Sequence, residues 1–458
     1  MIAMSVAEIA EILGGTVHRV DATVIVNDLV TDSRQAVAGA MFVAIRGENL
    51  DGHDFAASAI SNGASVVLAG REIDVPCIVV ADPVLALGAL ARWVREHKLS
   101  CKVIAITGSS GKTSTKDLLA QVLTAAGSTV AAVGSFNTEV GVPLTILRAD
   151  EATQFLVLEM GMRGSGHLTY LTDISSPDIA AIVNIGSAHV GVVGTQEMVA
   201  RAKGEIIAAL PRDGIAVLNF DDAMVMEQAD RTVARVVTCG EAVGSDIRAT
   251  DVRLDDQARP AFTLVIEDLS VPVTLLYHGR HFVSNALVAA GIAFSLGVNI
   301  ETIAMALRAA TPASKWRMEV HQLPRGITLI NDAYNANPES VRAAIDTLVA
   351  MAAGRRTWIV LGEMRELGAN SEAEHTNIGI YAAENGIDEL MCIGEGARPA
   401  VLGAGEVSAI NNTWVADSSS AISALESRLV PGDVVLIKAS RGVGLDVVAS
   451  ALMQLGAA

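Results

Sequence analysis

Residues 103–123 read VIAITGSSGKTSTKDLLAQVL, and this stretch decides the fold of the chain. Its first five residues, Val103–Thr107, are aliphatic or β-branched, which is typical of a strand buried on both faces of a sheet. A segment rich in Gly and Ser follows, and apolar residues then recur at the helical period from Leu118 to Leu123. The stretch therefore predicts a buried strand, a short loop and an amphipathic helix in direct succession.

The loop between this strand and helix has the composition of a phosphate-binding loop. Backbone N–H groups at the N-terminus of a helix form a cradle for phosphate oxygens. We expect Lys112 to reach the β- and γ-phosphates of a nucleotide and the Thr113 hydroxyl to hold Mg²⁺. The loop is the shorter GxxGKT form, because Ile106 stands where the first Gly of GxxxxGK[ST] would be. The residues expected to contact the nucleotide are Thr107, Gly108, Ser109, Ser110, Gly111, Lys112, Thr113 and Ser114.

The alternation of strand and helix continues on the C-terminal side of this loop. Aliphatic strands are predicted at Phe155–Leu158, Ile179–Val183 and Ile215–Leu218. Strands that alternate with helices imply right-handed βαβ units and a parallel sheet. Four further strand–helix units after Thr311-Pro312 predict a doubly wound domain.

We therefore predict an α/β protein of three domains. Short strands and helices separated by turn signals predict a small mixed α/β N-terminal domain over residues 1–99. Residues 100–312 are predicted to form a central P-loop ATPase domain with a mostly parallel sheet, and residues 313–458 a C-terminal Rossmann-like doubly wound domain.

The chain of 458 residues is acidic and rich in aliphatic side chains. Its formal net charge is −18, and 51% of its residues are hydrophobic while only 3% are aromatic. A strongly acidic surface repels nucleic acid and anionic lipid, so we expect neither nucleic acid nor membrane as a partner. A chain of this length is too long for a single hydrophobic core, so several domains are expected.

Cysteine usage and the apolar segments indicate the compartment. Cys77, Cys101, Cys239 and Cys392 are scattered and form no CxxC pair, which argues against a disulfide framework or a thiolate zinc site. Buried free thiols in a reducing compartment are expected instead.

The start of the chain has no signal-peptide pattern. The best membrane candidate, Phe282–Ile300, contains Ser, Asn and Gly and is interpreted as a buried helix, so we expect a soluble, cytoplasmic protein.

Two further residues follow predicted strands. Glu159 comes directly after Phe155–Leu158, where a Walker-B-like carboxylate would meet a metal ion. His189 comes a short loop after Ile179–Val183. Because parallel strands deliver their carboxyl ends to one edge of a sheet, Lys112, Glu159 and His189 are expected to converge there. Each taken alone has a simpler interpretation, a solvated acid at a strand end for Glu159 and a structural histidine for His189.

Ordered motifs along essentially the whole chain resemble those of the Mur ligase family. In chain order they are TGSSGKT at 107–113, SFNTEVGVP with Asn137, LEMGMRGSGHL with Glu159, NIGSAHVGVVG with His189, ARAKGEI with Lys203, HFVSNALVAAG with Asn285, KWRMEV with Arg317, INDAYNANPES with Asp332, LGEMRELG at 361–368 and KASRG at 438–442. The specificity of the resemblance comes from their number and order. Departures are small, with Phe282 where the family often has Asn and Ala439 where Gly is common.

The resemblance implies an ATP-dependent, ADP-forming ligase that activates a substrate carboxylate as an acyl phosphate. The last three motifs are most similar to the branch of the family that joins UDP-N-acetylmuramoyl-tripeptide to D-alanyl-D-alanine in peptidoglycan precursor synthesis. The first domain would then bind the UDP end of the substrate, the central domain ATP, and the third domain the incoming dipeptide. We expect a monomer.

The resemblance also implies two Mg²⁺ ions. Thr113 and Glu159 would hold the ion between the β- and γ-phosphates, whereas His189 and Lys203 would serve the second ion near the acceptor carboxylate. A lysine has only donors, and the family solves this by carbamylating it with CO₂. Lys203 in ARAKGEI matches that position. Without the resemblance, Lys203 would be interpreted as an exposed helix lysine.

Further roles are carried over from the family to matching positions. The catalytic set would be Lys112, His189, Lys203 and Arg317, with Arg317 stabilising the transferring phosphoryl group. Beyond the loop, ATP would contact Asn285, Arg317, Asp332, Asn335 and Asn337, and turn capping is the alternative for the last two. The UDP-substrate would contact Ser33, Arg34, Arg46, Gly47, Asp51, His53, Asn137 and Thr138. The dipeptide carboxylate would meet Ser440 and Arg441.

Three alternatives stay open. The nearest is another Mur-type ligase or folylpolyglutamate synthase, which would differ in the acceptor amine; a DNPR-type string, the mark of the diaminopimelate-adding member, is missing. A P-loop regulatory NTPase would hydrolyse ATP without a sugar–peptide substrate and would leave Lys203 and His189 without a role. A small-molecule kinase would release a stable phosphorylated product.

Overall fold

The computed structural model describes residues 1–188, 190–407 and 410–455. The strands form sheets of five, nine and six strands, and a separate two-stranded pair lies near the N-terminus. Each of the three larger sheets takes its strands from one continuous part of the chain, with helices between the strands. The predicted α/β class, with a small mixed sheet, a mostly parallel central sheet and a doubly wound C-terminal sheet, is confirmed.

The N-terminal part contains seven short strands and three helices. Its strands are β1 (Met4–Ser5), β2 (Thr16–His18), β3 (Ile25–Val26), β4 (Asp28–Val30), β5 (Ala40–Val43), β6 (Val66–Ala69) and β7 (Cys77–Val79). Its helices are α1 (Val6–Leu13), α2 (Ala56–Ser61) and α3 (Pro83–His97). The five-stranded sheet has the order β2-β7-β6-β5-β4 and is parallel except for the β2–β7 pair.

The central part carries the nine-stranded sheet. Its strands are β8 (Lys102–Thr107), β9 (Thr129–Ala131), β10 (Phe155–Glu159), β11 (Ile179–Ile182), β12 (Ile215–Asn219), β13 (Arg235–Gly240), β14 (Ile247–Leu254), β15 (Pro260–Ile266) and β16 (Leu269–Thr274). Its helices are α4 (Lys112–Thr124), α5 (Gly141–Leu147), α6 (His167–Ser175), α7 (Val190–Val193), α8 (Gln196–Ala208), α9 (Ala223–Met226), α10 (Phe282–Ser295) and α11 (Ile300–Ala309). The order is β16-β15-β14-β13-β12-β11-β8-β10-β9; all pairs are parallel except β14–β15 and β15–β16.

The C-terminal part is a six-stranded sheet with helices. Its strands are β17 (Glu319–Gln322), β18 (Thr328–Asp332), β19 (Thr357–Leu361), β20 (Glu389–Ile393), β21 (Asn411–Val415) and β22 (Val434–Lys438). Its helices are α12 (Pro338–Ala352), α13 (Ser371–Glu384), α14 (Arg398–Val407), α15 (Ser418–Arg428) and α16 (Asp446–Leu455). The order is β17-β18-β22-β19-β20-β21, with only β17 antiparallel to its neighbour. The described residues of this part form five strand–helix units. The sequence pattern predicts only four, because it does not indicate α14 and β21.

The uncharged stretch 282–300 is buried, as predicted, but it is not one helix. α10 ends at Ser295, and α11 begins at Ile300. The side chains of α10 pack into the hydrophobic core together with those of the central sheet. In the part of the chain that the structure describes, no helix is both long enough and apolar enough to cross a membrane. The four cysteines are buried and free, as the sequence predicts.

The central sheet fixes where the functional residues lie. Its strands β11, β8 and β10 are neighbours, with Ile182 opposite Thr107 and Glu159 opposite Ile106. The carboxyl ends of these three parallel strands therefore open at the same edge, where ligands bind in open α/β sheets. The phosphate loop, Glu159 and the segment after β11 all start at this edge.

Candidate active site

A cleft of about 610 Å³ opens at this edge of the central sheet. One wall comes from the phosphate loop and the residues after β9 and β10, and the other from residues 317–343 of the C-terminal part. The lining residues that the sequence predicted are Ser109, Ser110, Gly111, Lys112, Thr113, Ser114, Asn137, Thr138, Glu159, Asn285, Arg317, Asp332, Asn335 and Asn337. The structure thus brings together most of the nucleotide candidates and, beside them, Asn137 and Thr138 from the UDP-substrate set.

The phosphate loop is held in its shape by both backbone and side-chain contacts. Gly111 has a φ of 74°, in the left-handed region that favours glycine, and a Cβ there would come within 2.5 Å of Asn285 Oδ1. Asn184, just after β11, accepts hydrogen bonds from the N–H groups of Ser109 at 3.0 Å and Ser110 at 2.9 Å. Asn184 therefore braces the loop against the neighbouring strand.

Glu159 is buried, and each of its carboxylate oxygens accepts one hydrogen bond. Thr113 Oγ1 donates to Oε2 at 2.7 Å, and Asn137 Nδ2 donates to Oε1 at 2.7 Å. A hydroxyl and a carboxylate beside a phosphate loop are hard oxygen ligands of the kind Mg²⁺ combines with water and substrate phosphates. Among the described residues, no group of three or more His, Cys, Asp and Glu side chains could hold a metal ion. The Thr113 hydroxyl and the Glu159 carboxylate fit a magnesium ion that takes its other ligands from a nucleotide.

Two lysines lie near enough to each other for their charges to interact, but only Lys112 lines the cleft. Lys112 Nζ donates to the Gly108 carbonyl at 2.7 Å, and burial lowers the pKa of Lys112. Lys203, on α8, is only 1% exposed. Burial lowers the pKa of Lys203 well below that of a solvated lysine, and the charge of Lys112 lowers it further. Lys203 is therefore not an exposed helix lysine, and its burial favours the uncharged amine.

His189, the predicted partner of Lys203 at a second metal ion, lies outside the described residues. Ser187 and Gly191, which lie two positions before and after it in the sequence, contact the C-terminal part of the chain.

Arg317 is held at the cleft by an aromatic ring and a constrained backbone. Its guanidinium lies 4.1 Å from the centre of the Tyr334 ring. Trp316 and Met318, on either side of it, have φ values of 59° and 51°. Such conformations cost about 1–3 kcal/mol each and persist only where neighbours hold them. Here Tyr334 N–H donates to the Trp316 carbonyl at 3.1 Å, and Met318 N–H donates to Asp332 Oδ1 at 3.1 Å.

The other C-terminal candidates have partners within the protein. The Asp332 carboxylate forms a buried ion pair with Lys438, which also donates to the Asn335 carbonyl at 3.0 Å. Asn337 caps α12 by accepting a hydrogen bond from an N–H of the first turn at 2.9 Å. Its amide also donates to the Ser109 carbonyl at 3.4 Å. Asn337 thus has the capping role considered above and ties α12 to the phosphate loop.

Ser440 and Arg441, the predicted dipeptide contacts, do not line the cleft. Ser440 is buried, and its hydroxyl accepts the Arg365 N–H at 2.9 Å and donates to a backbone carbonyl at 3.3 Å. Arg441 lies 4.1 Å from the centre of the Trp316 ring and pairs with Asp446 at 3.1 Å. Both side chains are engaged within the protein.

The UDP-substrate candidates of the first domain also lie away from the cleft. Asp51 accepts a hydrogen bond from the His53 N–H at 3.0 Å and pairs with its ring at 2.5 Å, so these two residues stabilise their own turn. Arg34 pairs with Asp32 at 2.7 Å. The candidates that do not line the cleft are Ser33, Arg34, Arg46, Gly47, Asp51 and His53.

Several polar side chains of the site were not singled out from the sequence, and four of them hold other site residues or the loop in place or lie buried at the cleft. They are Asn184, His281, Tyr334 and Lys438. Each lies inside one of the family motifs, and that position was the only signal available. Lys438 illustrates the difficulty, because its partner Asp332 is 106 residues away in the chain.

His281 at the start of α10 predicts a loss of stability in acid. Its Nδ1 is buried without a hydrogen-bond partner among the described residues, and burial lowers the pKa of His281 to about 4. An unfolded histidine titrates near 6.5, so the unfolded chain binds more protons below that pH and stability falls as the pH falls from 6.5 to 4. We expect about 2 kcal/mol of unfolding free energy to be lost between pH 7 and pH 5 through this group. Measured by urea denaturation, the unfolding free energy of His281→Gln should fall by about 2 kcal/mol less than that of the wild type between pH 7 and pH 5. An equal fall in both proteins would assign the effect to other groups.

Comparison with known proteins gives matches over nearly the whole chain. The Mur ligase middle domain matches residues 106–293, the glutamate ligase domain of Mur ligases residues 316–441, and the catalytic domain of the Mur ligase family residues 26–93. The UDP-N-acetylmuramoyl-tripeptide–D-alanyl-D-alanine ligase of Mycobacterium bovis is 43% identical, covering 99% of this chain and 98% of that protein.

Solved structures match equally widely. MurF from Acinetobacter baumannii superposes with a TM-score of 0.89 at 32% identity, covering 99% of each chain. MurF ligase from Thermotoga maritima in complex with ADP has a TM-score of 0.80 at 29% identity, covering 93% of this chain and 97% of that one. Identity of this level over the full length shows common descent as well as a common fold. The chain belongs to the Mur ligase family.

Proposed function

We propose that this chain joins D-alanyl-D-alanine to UDP-N-acetylmuramoyl-tripeptide, with ATP converted to ADP and phosphate, in the synthesis of the peptidoglycan precursor. It is an ATP-dependent, ADP-forming ligase, as its full-length relatives are. The structural observation that carries the proposal is the single cleft in which the phosphate loop, the Thr113–Glu159 pair and Arg317 meet. Such a cleft supports phosphoryl transfer at the junction of two domains.

The reaction needs activation because a carboxylate is a poor electrophile towards an amine. In the proposed first step, an oxygen of the tripeptide carboxylate bonds to the γ-phosphorus of ATP, and the bond to ADP breaks. In the second, the amine nitrogen of the dipeptide bonds to the acyl carbon, phosphate leaves, and the nitrogen loses a proton. Phosphoryl transfer depends mainly on positioning and charge neutralisation. In this chain, positioning and charge neutralisation would come from Lys112, the N–H groups of the phosphate loop, and Arg317.

We propose that Thr113 and Glu159 hold the magnesium ion that accompanies the nucleotide. When bound, the ion neutralises phosphate charge. Asn137 keeps the carboxylate oriented through its 2.7 Å hydrogen bond to Oε1. We propose that His189 and Lys203 serve a second ion near the tripeptide carboxylate.

The surroundings of Lys203 favour the carbamate that this role requires. Carbamate formation joins the nitrogen of an uncharged amine to the carbon of CO₂ with loss of one proton, which gives a carboxylate-like anion. Burial and the charge of Lys112 both lower the pKa of Lys203 and so favour the uncharged amine. The same Lys112 charge that repels an ammonium would attract the anionic product.

The three domains would divide the substrates among them. We propose that the N-terminal domain over residues 1–99 holds the UDP end, residues 100–312 bind ATP, and residues 313–458 present the dipeptide. Asn137 and Thr138 line the cleft and are the UDP-substrate candidates nearest to the phosphate loop. Because Arg441 is engaged by Trp316 and Asp446, a role in dipeptide binding would require it to change partners. We further propose that the enzyme works as a monomer in the cytoplasm, where ATP and UDP-linked precursors occur.

The proposed function is tested by measuring ADP release against a panel of substrates. We expect release to require both UDP-N-acetylmuramoyl-tripeptide and D-alanyl-D-alanine, with little response to diaminopimelate, lysine, D-glutamate or L-glutamate as the amine. Turnover with glutamate alone would point to folylpolyglutamate synthase. ADP release that no sugar–peptide stimulates would point to a regulatory NTPase.

Trapping with hydroxylamine tests the acyl phosphate separately. With D-alanyl-D-alanine omitted and hydroxylamine added, the tripeptide substrate should accumulate as its hydroxamate, because hydroxylamine attacks the acyl carbon of the mixed anhydride. A stable phosphorylated product that resists hydroxylamine would support a small-molecule kinase instead.

A further inference from the structure

The segment between β11 and α8, residues 183–195, is held by the C-terminal domain at two points. At the first, both donors of Ser187 bind one carboxylate: its N–H donates to Glu339 Oε1 at 2.8 Å and its hydroxyl to Oε2 at 3.1 Å. Glu339 lies in the first turn of α12. Gly186 permits this approach, because a Cβ there would come 2.8 Å from Glu339 Cδ.

The second point is a contact between two backbones. Gly191 N–H donates to the Glu366 carbonyl at 3.0 Å. A Cβ on Gly368 would come 2.8 Å from the Gly191 Cα, and a Cβ on Gly191 would collide with the Gly368 nitrogen. The two backbone segments therefore touch without intervening side chains, which leaves no room for a larger residue at Gly191 or Gly368.

The same segment is also tied to the phosphate loop. Gly186 N–H donates to Ser109 Oγ at 2.8 Å, and Ser109 Oγ donates back to the Gly186 carbonyl at 3.3 Å. The segment contains His189 and leads directly into α8, which carries Lys203. It thus connects the nucleotide loop, the proposed second metal site and the C-terminal domain.

We infer that Glu339 is a positioning residue that makes the assembly of the metal and acyl-phosphate site depend on docking of the C-terminal domain. Glu339 shapes residues 183–195 only while α12 is docked, because both of its contacts cross between domains. The inference rests on the proposed function, in which that domain brings the dipeptide. Coupling of this kind would confine acyl-phosphate formation to the docked arrangement, in which the cleft is closed to water.

The test compares Glu339→Ala with Glu339→Gln and a matched control. Hydrogen bonds to a charged acceptor are individually strong, so we expect Glu339→Ala to lower kcat about 10- to 100-fold while the KM for ATP changes less. Glu339→Gln keeps one acceptor oxygen and should be intermediate. The control is Glu372→Ala, an exposed acid in the first turn of α13, which removes a helix N-terminal charge without touching the segment.

Hydrogen exchange supplies a readout other than activity. The amides of residues 186–195 should exchange faster in Glu339→Ala than in the wild type and should be unchanged in Glu372→Ala. Gly191→Ala disrupts the second contact, because its Cβ would collide with the Gly368 backbone. It should therefore also lower kcat while Glu339 is intact. Helix propensity alone would predict no loss, since alanine is a better helix former than glycine. Wild-type turnover in Glu339→Ala, or lost turnover without faster exchange, would overturn the inference. Failure of the proposed function would look different, as absence of tripeptide-dependent ADP release in the wild type.

Discussion

Replacement of Lys203 by alanine is expected to lower ligation by about three orders of magnitude, the scale of losing a main stabilising group in phosphoryl transfer. Lys203 is 1% exposed, and its only described charged neighbour in electrostatic contact is the cation Lys112. A lysine so placed gains nothing from its positive charge. A carbamate at this position would add the anion that a metal site beside Lys112 needs.

Rescue by small carboxylates separates the carbamate from a packing role. Acetate or formate should restore part of the activity of Lys203→Ala, because the alanine leaves space for an external carboxylate. The control is Lys116→Ala: Lys116 is also buried, but it donates to the carbonyls of Ala132 and Gly134 and should not respond to carboxylates. Near-wild-type activity of Lys203→Ala, or equal rescue of both variants, would remove the carbamate from the mechanism. Carbon-13 NMR with labelled CO₂ would show the carbamate signal in the wild type and in Lys116→Ala but not in Lys203→Ala.

The fold was predictable wherever one local pattern dominated. The strand, loop and helix at 103–123 combine an aliphatic run, a Gly/Ser segment and an apolar helical stripe, and all three are present. The antiparallel strands β14, β15 and β16 were missed because such strands are covered on one face only; buried and half-buried residues alternate along β15. β21 was missed because NNTWV is polar, and it lies at the edge of its sheet.

The site was predictable as far as sheet topology determines it. Residues that follow β8 and β10 had to meet, since these parallel strands are neighbours, and Thr113 does donate to Glu159. The pairing of Asp332 with Lys438 and of Ser187 with Glu339 depends on packing between distant parts of the chain, and no spacing rule indicates it. The Asp51–His53 turn shows the opposite case. Its polar residues were predicted to bind the substrate, but Asp51 and His53 form hydrogen bonds with each other instead.

Replacement of Glu159 by glutamine is expected to lower turnover by about two to three orders of magnitude and to raise the magnesium concentration needed for activity. Glutamine keeps the volume and one oxygen, so the buried site should stay folded. It removes the negative charge, and its NH₂ group would then meet a donor from either Thr113 or Asn137, both of which now donate to the carboxylate. Calorimetry should show that ADP binds without Mg²⁺ as in the wild type, whereas Mg²⁺ no longer strengthens binding.

The matched control is Glu151→Gln, an exposed acid in the turn before β10 that should leave both measurements unchanged. Asn137→Ala should shift the magnesium requirement in the same direction but less, because Asn137 acts on the ion through the Glu159 carboxylate. If this order of action is right, the double variant should be no worse than Glu159→Gln alone, since coupled residues are not additive. Additive losses would mean that Asn137 contacts a substrate independently of Glu159. Unchanged magnesium dependence in Glu159→Gln would place the ion away from this carboxylate and would leave Thr113 without its proposed partner.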